Sequence, residues 1–200
     1  MNTQHTQALI YLASRSPRRA ELLQQLGVTF TVLAPDIDES ELAGETPGIY
    51  VQRLAAEKAA AALAQIMDMN LKRMPVLAAD TTVAVDGAIL GKPVSDADAF
   101  AMLKRISGRW HEVHTALAVA LEGNMAIALS TTRVEIPPLT DQLIRDYIGT
   151  GEPNGKAGAY GIQGLAGTFI RRIEGSYSGV MGLPIYETTQ LLKDAGIKIL

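Results

Sequence analysis

An apolar run from Leu9 to Ala13 gives way within three residues to a helix start at Ser16-Pro17, and a second apolar run, Thr29 to Ala34, follows that helix. The order strand, helix, strand points to an α/β sheet. Ser16 is the expected N-cap, Pro17 suits the first turn, Leu22, Leu23 and Leu26 form the apolar stripe, and Gly27 ends the helix.

Arg18 and Arg19 then stand at the positive end of the helix dipole. Cations there cost a few tenths of a kcal/mol, while the free N–H groups attract anions. A phosphate-rich ligand would resolve the conflict; so would a solvated basic turn whose arginines pair with Glu21 or face water.

With 200 residues, 48% of them hydrophobic and 20% charged, the chain can bury a substantial core. Residues 1–7 read as a polar, disordered tail and residues 8–200 as a single domain. The net charge of −3 means that attraction for an anion must be local, and no basic stripe with interleaved aromatics suggests nucleic acid. Without cysteine there is no disulfide framework, thiolate metal site or Cys nucleophile. The first residues carry neither a basic n-region nor a long apolar h-region, and no stretch approaches a membrane span; a soluble, cytoplasmic protein is expected.

Further along, Thr46-Pro47 opens a long Ala-rich helix to about Met67, with Leu54, Lys58, Ala61 and Gln65 along one face and Glu57 beside them. Val76 to Ala79 leads to Asp80 at an expected strand junction, and Asp86-Gly87 marks a tight hairpin. Ser95 or Asp96 caps a helix through Ile106. Strands are expected over 110–121 and 126–136, a helix over 140–148, a glycine-rich stretch over 151–167, a strand over 169–173 and a closing helix over 181–195.

Several residues could carry chemistry. The cluster Asp36-Ile37-Asp38-Glu39 offers oxygen ligands to a hard divalent cation, or is a solvated turn. Asp80, delivered by an apolar approach, reads as a general base or as an Asx-turn opening the hairpin. Lys92, between Gly91 and Pro93, is a point charge for a phosphate or a surface lysine. The run Gly158 to Gly164 presents one neutral amide, Gln163, or is a glycine-rich loop without a ligand. His111 and His114, three apart in a strand, point to opposite faces and make a poor metal pair. Gly175-Ser176-Tyr177-Ser178-Gly179 has Tyr where a nucleophile elbow needs Ser. Neither a P-loop nor a Rossmann glycine pattern occurs.

In order, Leu12-Ala13-Ser14-x-Ser16-Pro17-Arg18-Arg19, Ala79-Asp80-Thr81, Gly91-Lys92-Pro93, Ser107-Gly108, the run Lys156 to Gly164, and Gly182-Leu183-Pro184 resemble the Maf family of nucleotide pyrophosphatases over nearly the whole chain. The likeness is to the branch acting on dTTP and UTP; the branch favouring 7-methyl-GTP typically has Trp at the place of Arg18 and Gln at that of Thr81. Arg15 stands where many members have a smaller residue.

The resemblance implies an α/β fold in which a long twisted mixed β-sheet flanked by helices forms two lobes with a cleft between them, and a homodimer is common. It also implies hydrolysis of a nucleoside triphosphate to the monophosphate and diphosphate with a divalent metal cation, Mg, Mn or Co. Asp80 matches the proton acceptor. Arg18, Thr81 and Gln163 match positions that set base preference; Ser14, Arg19, Lys58 and Lys92 match the phosphate region, and Glu39 an acidic position near the metal. A non-hydrolysing, nucleotide-binding regulator of septum formation is the competing expectation.

Overall fold

The computed structural model describes residues 9–199, so the tail expected over 1–7 lies outside them. Among the described residues, seven strands form one mixed sheet in the order β2-β1-β3-β5-β6-β7, with β4 paired to β3. β1 (Ile10–Leu12), α1 (Pro17–Gln25) and β2 (Phe30–Val32) are the expected strand–helix–strand unit, and β1 lies parallel to both β2 and β3 (Val76–Val85). From β3 onward the pairing is antiparallel, through β5 (Arg109–Leu121), β6 (Asn124–Ile136) and β7 (Arg172–Glu174). The hairpin to β4 (Ala88–Leu90) turns on Asp86 and Gly87, both at positive φ as a two-residue turn requires.

Alternation along β3 gives the sheet two cores. Leu77, Ala79 and Val83 join Ile10, Leu12, Leu22, Leu23 and Leu117 on one face. Elements on that side include α1, α3 (Asp96–Ile106), α4 (Asp141–Gly149) and α6 (Ile185–Asp194). Val76 and Ala78 join Tyr11, Ala116, Ala118 and Ala120 on the other, beneath α2 (Pro47–Asp68). Alanines on both surfaces let that helix approach closely, so small area per residue is offset by dense packing.

Three expectations need correcting, and one helix face comes only from the structure. The buried stripe of α2 is Val51, Ala55, Ala59, Ala62 and Ile66, a stripe the sequence did not single out; on the face through Leu54, Lys58, Ala61 and Gln65 only Leu54 is buried. So many alanines give no apolar contrast to read. Asp80 does not end a strand: β3 runs unbroken for ten residues through it. The strand expected over 169–173 is shorter and later, because Phe169 ends a 3₁₀ turn, Leu165–Phe169. The closing helix is two helices, α5 (Tyr177–Met181) and α6, separated where Gly182 adopts φ 112° before Leu183-Pro184. Such a backbone conformation, followed by Pro, ends a helix.

The edges of β3 explain where a cleft opens. β5 pairs with it continuously from Val76 to Ala84, whereas on the other edge β1 pairs only at Val76 and Leu77 and β4 only from Val83 to Val85. Ala78 to Thr82 therefore have no strand beside them on that edge, and Asp80 and Thr81 sit in the gap.

Candidate active site

The gap is the floor of a cleft of about 610 Å³. One wall comes from the β1–α1 turn, the loop after β2, and α2; the other comes from Lys92, the glycine-rich segment and the end of α5. This is the cleft between two lobes that the resemblance implied. All nine predicted site residues line it: Ser14, Arg18, Arg19, Glu39, Lys58, Asp80, Thr81, Lys92 and Gln163. Six cations (Arg15, Arg18, Arg19, Lys58, Lys92, Lys156) face three carboxylates there, although the chain carries −3 overall. The positive potential an anion needs is thus local.

Pleating sends Asp80 toward α2 and Thr81 toward α1. Asp80 meets Lys58, whose Nζ lies 2.6 Å from its Oδ1 and 2.6 Å from Glu39 Oε1. Lys58 is 12% and Asp80 11% exposed at the side chain, so this pair is far less screened than a surface bridge. Glu39 also faces Lys92, with 3.5 Å between Oε2 and Nζ. Partial burial pushes the Glu39 carboxyl up, but the Lys58 hydrogen bond and charge, aided by Lys92, outweigh it and hold it below its ordinary value.

The arginines do not form a solvated turn. Arg18 Nε donates to the Met181 carbonyl at 3.3 Å and Arg19 Nε to that of Gly182 at 2.9 Å, so carbonyls at the end of α5 accept the cations of α1. Arg19 also donates through Nη1 to Ser14 Oγ (3.0 Å) and through Nη2 to Thr81 Oγ1 (3.1 Å). Both terminal nitrogens of Arg18 are free of hydrogen bonds among the described residues, and Arg18 lines the cleft. Arg15 turns outward to Asp36 at 2.7 Å and to the Ala34 carbonyl, tying the α1 entry to the chain after β2.

Proton bookkeeping separates the hydroxyls. Thr115 Oγ1 donates its one proton to the Gly179 carbonyl at 2.8 Å, so in its 3.0 Å contact with Thr81 it must accept. Thr81 gives its proton to Thr115 and a lone pair to Arg19, which leaves it no donor for a ligand. Ser14 Oγ accepts from Ser16 N–H (3.2 Å) and Arg19, and keeps its proton to donate. Ser16 is the N-cap residue of α1 but makes no capping hydrogen bond, whereas Thr46, Ser95 and Thr140 each cap theirs. The first-turn amides of α1 are thus not taken by their own cap.

Gln163 is exposed in the cleft, and its amide has no hydrogen-bond partner among the described residues. Beside it is Lys156, lowered from the usual lysine value first by desolvation and then by the charge of Arg18.

Residues that sequence reasoning passed over hold these groups in place. Arg53 grips Glu45 bidentately (2.5 and 2.8 Å), reaches Glu57 at 3.2 Å and donates to the Ser40 carbonyl, while Tyr50 donates to the Glu39 carbonyl at 2.9 Å. Together they anchor the loop that carries Glu39. The i, i+4 spacing of Arg53 and Glu57 was readable; the partners eight and more residues away were not. His111 is buried against Tyr160, 2.7 Å from the hydroxyl, while His114 meets Glu112 and Thr131. Ser176, in the elbow-like run, caps α5. Among the described residues no group of three or more His, Cys, Asp or Glu is placed to hold a metal ion, and no helix is long and apolar enough to cross a membrane.

The family model described as Maf-like protein matches residues 9–195. The dTTP/UTP pyrophosphatase of Methylobacillus flagellatus is 60% identical over 190 residues, 95% of this chain and 94% of that protein. The dTTP/UTP pyrophosphatases of Bordetella parapertussis and Burkholderia pseudomallei are each 53% identical, over 95% and 94% of this chain and 94% of their own. The solved Staphylococcus aureus Ham1 protein aligns with 64% of this chain and 71% of its own at a TM-score of 0.45 and 18% identity. The chain belongs to the Maf-like family.

Proposed function

We propose that this protein is a dTTP/UTP pyrophosphatase, acting in the cytoplasm on surplus or modified pyrimidine nucleotides and releasing the monophosphate and diphosphate. The observation that carries the reading is Asp80, held in the β3 gap with one oxygen on Lys58 and lining a cleft rich in cations. A triphosphate carries dense negative charge, and water attacks phosphorus only once that charge is offset. Arg19, Lys58, Lys92, the Ser14 hydroxyl and the α1 amides offset it. Asp80 Oδ2 orients the water and takes its proton. Arg18 and Gln163 meet the base edge, where the two carbonyls and N–H of uracil or thymine match an arginine's donors and one amide.

A divalent cation fits this arrangement. Glu39 and Asp80 would hold it through carboxylate oxygens that Lys58 Nζ now bridges, with Lys58 displaced toward the phosphates, and a small hard cation bound by one or two carboxylates takes its remaining oxygens from phosphates and water. The ion would neutralise phosphate charge and stabilise the departing diphosphate.

Assembly as a homodimer belongs to the same reading. Along β6 only Arg133 to Glu135 pair with β7, leaving an edge from Asn124 with Met125, Ile127 and Leu129 exposed. No charged residue falls between Gly123 and Thr132, so a second copy can pair there without like-charge repulsion. Sedimentation of the Ile127→Lys variant as a monomer, with the parent a dimer, supports this; identical sedimentation of the two rejects it.

The activity is tested by incubating UTP and dTTP with Mg²⁺, Mn²⁺ or Co²⁺ in ¹⁸O-water. Monophosphate bearing the label, plus pyrophosphate, is the expected outcome, and none after chelation. Diphosphate plus orthophosphate would overturn the reading, and binding without products would leave a nucleotide-binding regulator.

A further inference from the structure

Glu152 lies just beyond α4, outside the cleft lining, yet its atoms hold the segment that carries Gln163. Oε2 accepts from the Leu165 N–H at 2.7 Å; Oε1 accepts from the Ala166 N–H at 3.2 Å and the Tyr147 hydroxyl at 2.9 Å. The same Tyr147 oxygen accepts the Gly161 N–H at 3.3 Å, and the Glu152 carbonyl accepts from Lys156 Nζ. Gln163 is therefore bracketed: Gly161 is tied through Tyr147, and Leu165 and Ala166 are tied directly.

The glycines fit these ties. A Cβ at Gly164 would stand 2.4 Å from the Glu152 carboxylate, and one at Gly161 would stand 2.9 Å from Lys156 Cε. Gly164 is the N-cap position of the 3₁₀ turn Leu165–Phe169 and has no side chain to cap it. The Glu152 carboxylate, thirteen residues before Leu165, fills that role, where negative charge is favoured. Burial alone would raise the Glu152 carboxyl, but the two amides and Tyr147 outweigh it and hold it below its ordinary value.

We infer that Glu152 is a positioning residue for substrate choice: with Tyr147 it fixes where Gln163 presents its amide and where Lys156 presents its ammonium, and it acts on base discrimination rather than on bond cleavage. The inference rests on the reading that Gln163 meets the base. A residue that merely stabilised the fold would slow every substrate alike, whereas a positioning residue changes their ratio.

The test compares kcat and KM for UTP and CTP in the parent, Glu152→Ala, Glu152→Gln, Tyr147→Phe, Gln163→Ala and the Glu152→Ala/Gln163→Ala double variant. Glu152→Ala should narrow the UTP-to-CTP ratio of kcat/KM by about fivefold or more, through KM for UTP, the scale expected when a buried polar match is lost. Glu152→Gln, with one acceptor oxygen left for two amides, should fall between. Tyr147→Phe keeps the ring packed on Phe169 and should shift the ratio in the same direction even if Glu152→Ala fails to fold. The double variant should narrow the ratio no further than Gln163→Ala alone, since one residue acts through the other. An unchanged ratio in Glu152→Gln and Tyr147→Phe, with Gln163→Ala narrowing it, overturns the inference and leaves the reading of Gln163 intact. An unchanged ratio in Gln163→Ala overturns both.

Discussion

Lys58 Nζ stands at the same 2.6 Å from Asp80 Oδ1 and Glu39 Oε1, so one ammonium joins two carboxylates carried by elements far apart in sequence. Among the described residues only Oδ1 of Asp80 is engaged, and Oδ2 is the oxygen that the proposed reading gives to water.

Asp80→Asn should therefore keep the fold and nucleotide binding, because Lys58 retains Glu39, while kcat falls by on the order of 100-fold or more, the usual scale for a lost general base. Steady-state kinetics beside calorimetric titration of UTP checks this. An unchanged kcat would remove Asp80 from the chemistry.

Thr81 matches a position that sets base preference, yet its proton is committed to Thr115 and its lone pair to Arg19. Thr81→Val should weaken triphosphate binding through Arg19 and cost about 1–2 kcal/mol of stability, with little change in the UTP-to-CTP ratio. Thr81→Ser should restore both losses. A collapse of the ratio in the Val variant alone would show the hydroxyl reading the base after all.

Arg18, with both terminal nitrogens free of hydrogen bonds among the described residues, has donors only. On the proposed reading it donates to the C4 carbonyl of uracil and opposes the cytosine amine donor to donor, a mismatch of about 1–3 kcal/mol, or roughly 5- to 150-fold. Arg18→Ala should slow UTP and dTTP much more than CTP. Equal losses across all three substrates would assign Arg18 to the phosphates.

His111 supplies a pH dependence of stability. Burial pushes its imidazole down to about 4, so between that value and the ordinary 6.5 the unfolded chain binds a proton that the folded one does not. Stability is full above 6.5 and is lost as pH falls toward 4; from pH 7 to 5 the loss is about 2 kcal/mol. Urea unfolding at the two pH values should show this, and His111→Gln should flatten it. An equal slope in the variant would place the dependence on groups other than His111, and not on Glu39, Glu45 or Glu152, whose depressed carboxyls lose their contribution only at lower pH.

Local signals carried much of the fold. Caps at Thr46, Ser95 and Thr140 and the Asp86-Gly87 hairpin were legible because each depends on residues within four positions of one another. The continuity of β3 was not, since an aspartate in a strand is tolerated here only because Lys58 meets it from α2. The division between α5 and α6 was hidden behind an apolar pattern that runs across Gly182. At the site, the motif residues stood out one by one. Their supports, Thr115, Arg53 and Glu152, did not, because each acts on residues that only the fold brings near.

The unequal edges of β3 bear on how such a chain can change length. Nine consecutive rungs with β5 fix the phase of the strand that holds Asp80 and Thr81. A single residue inserted before Asp80 would carry its carboxylate to the place opposite Thr115, and a single residue deleted there would carry the Thr81 hydroxyl to the place facing Lys58. The loops after β2, β4 and α4 border the same cleft without setting that phase. Drift in length is thus open to the rim of the cleft and closed to its floor.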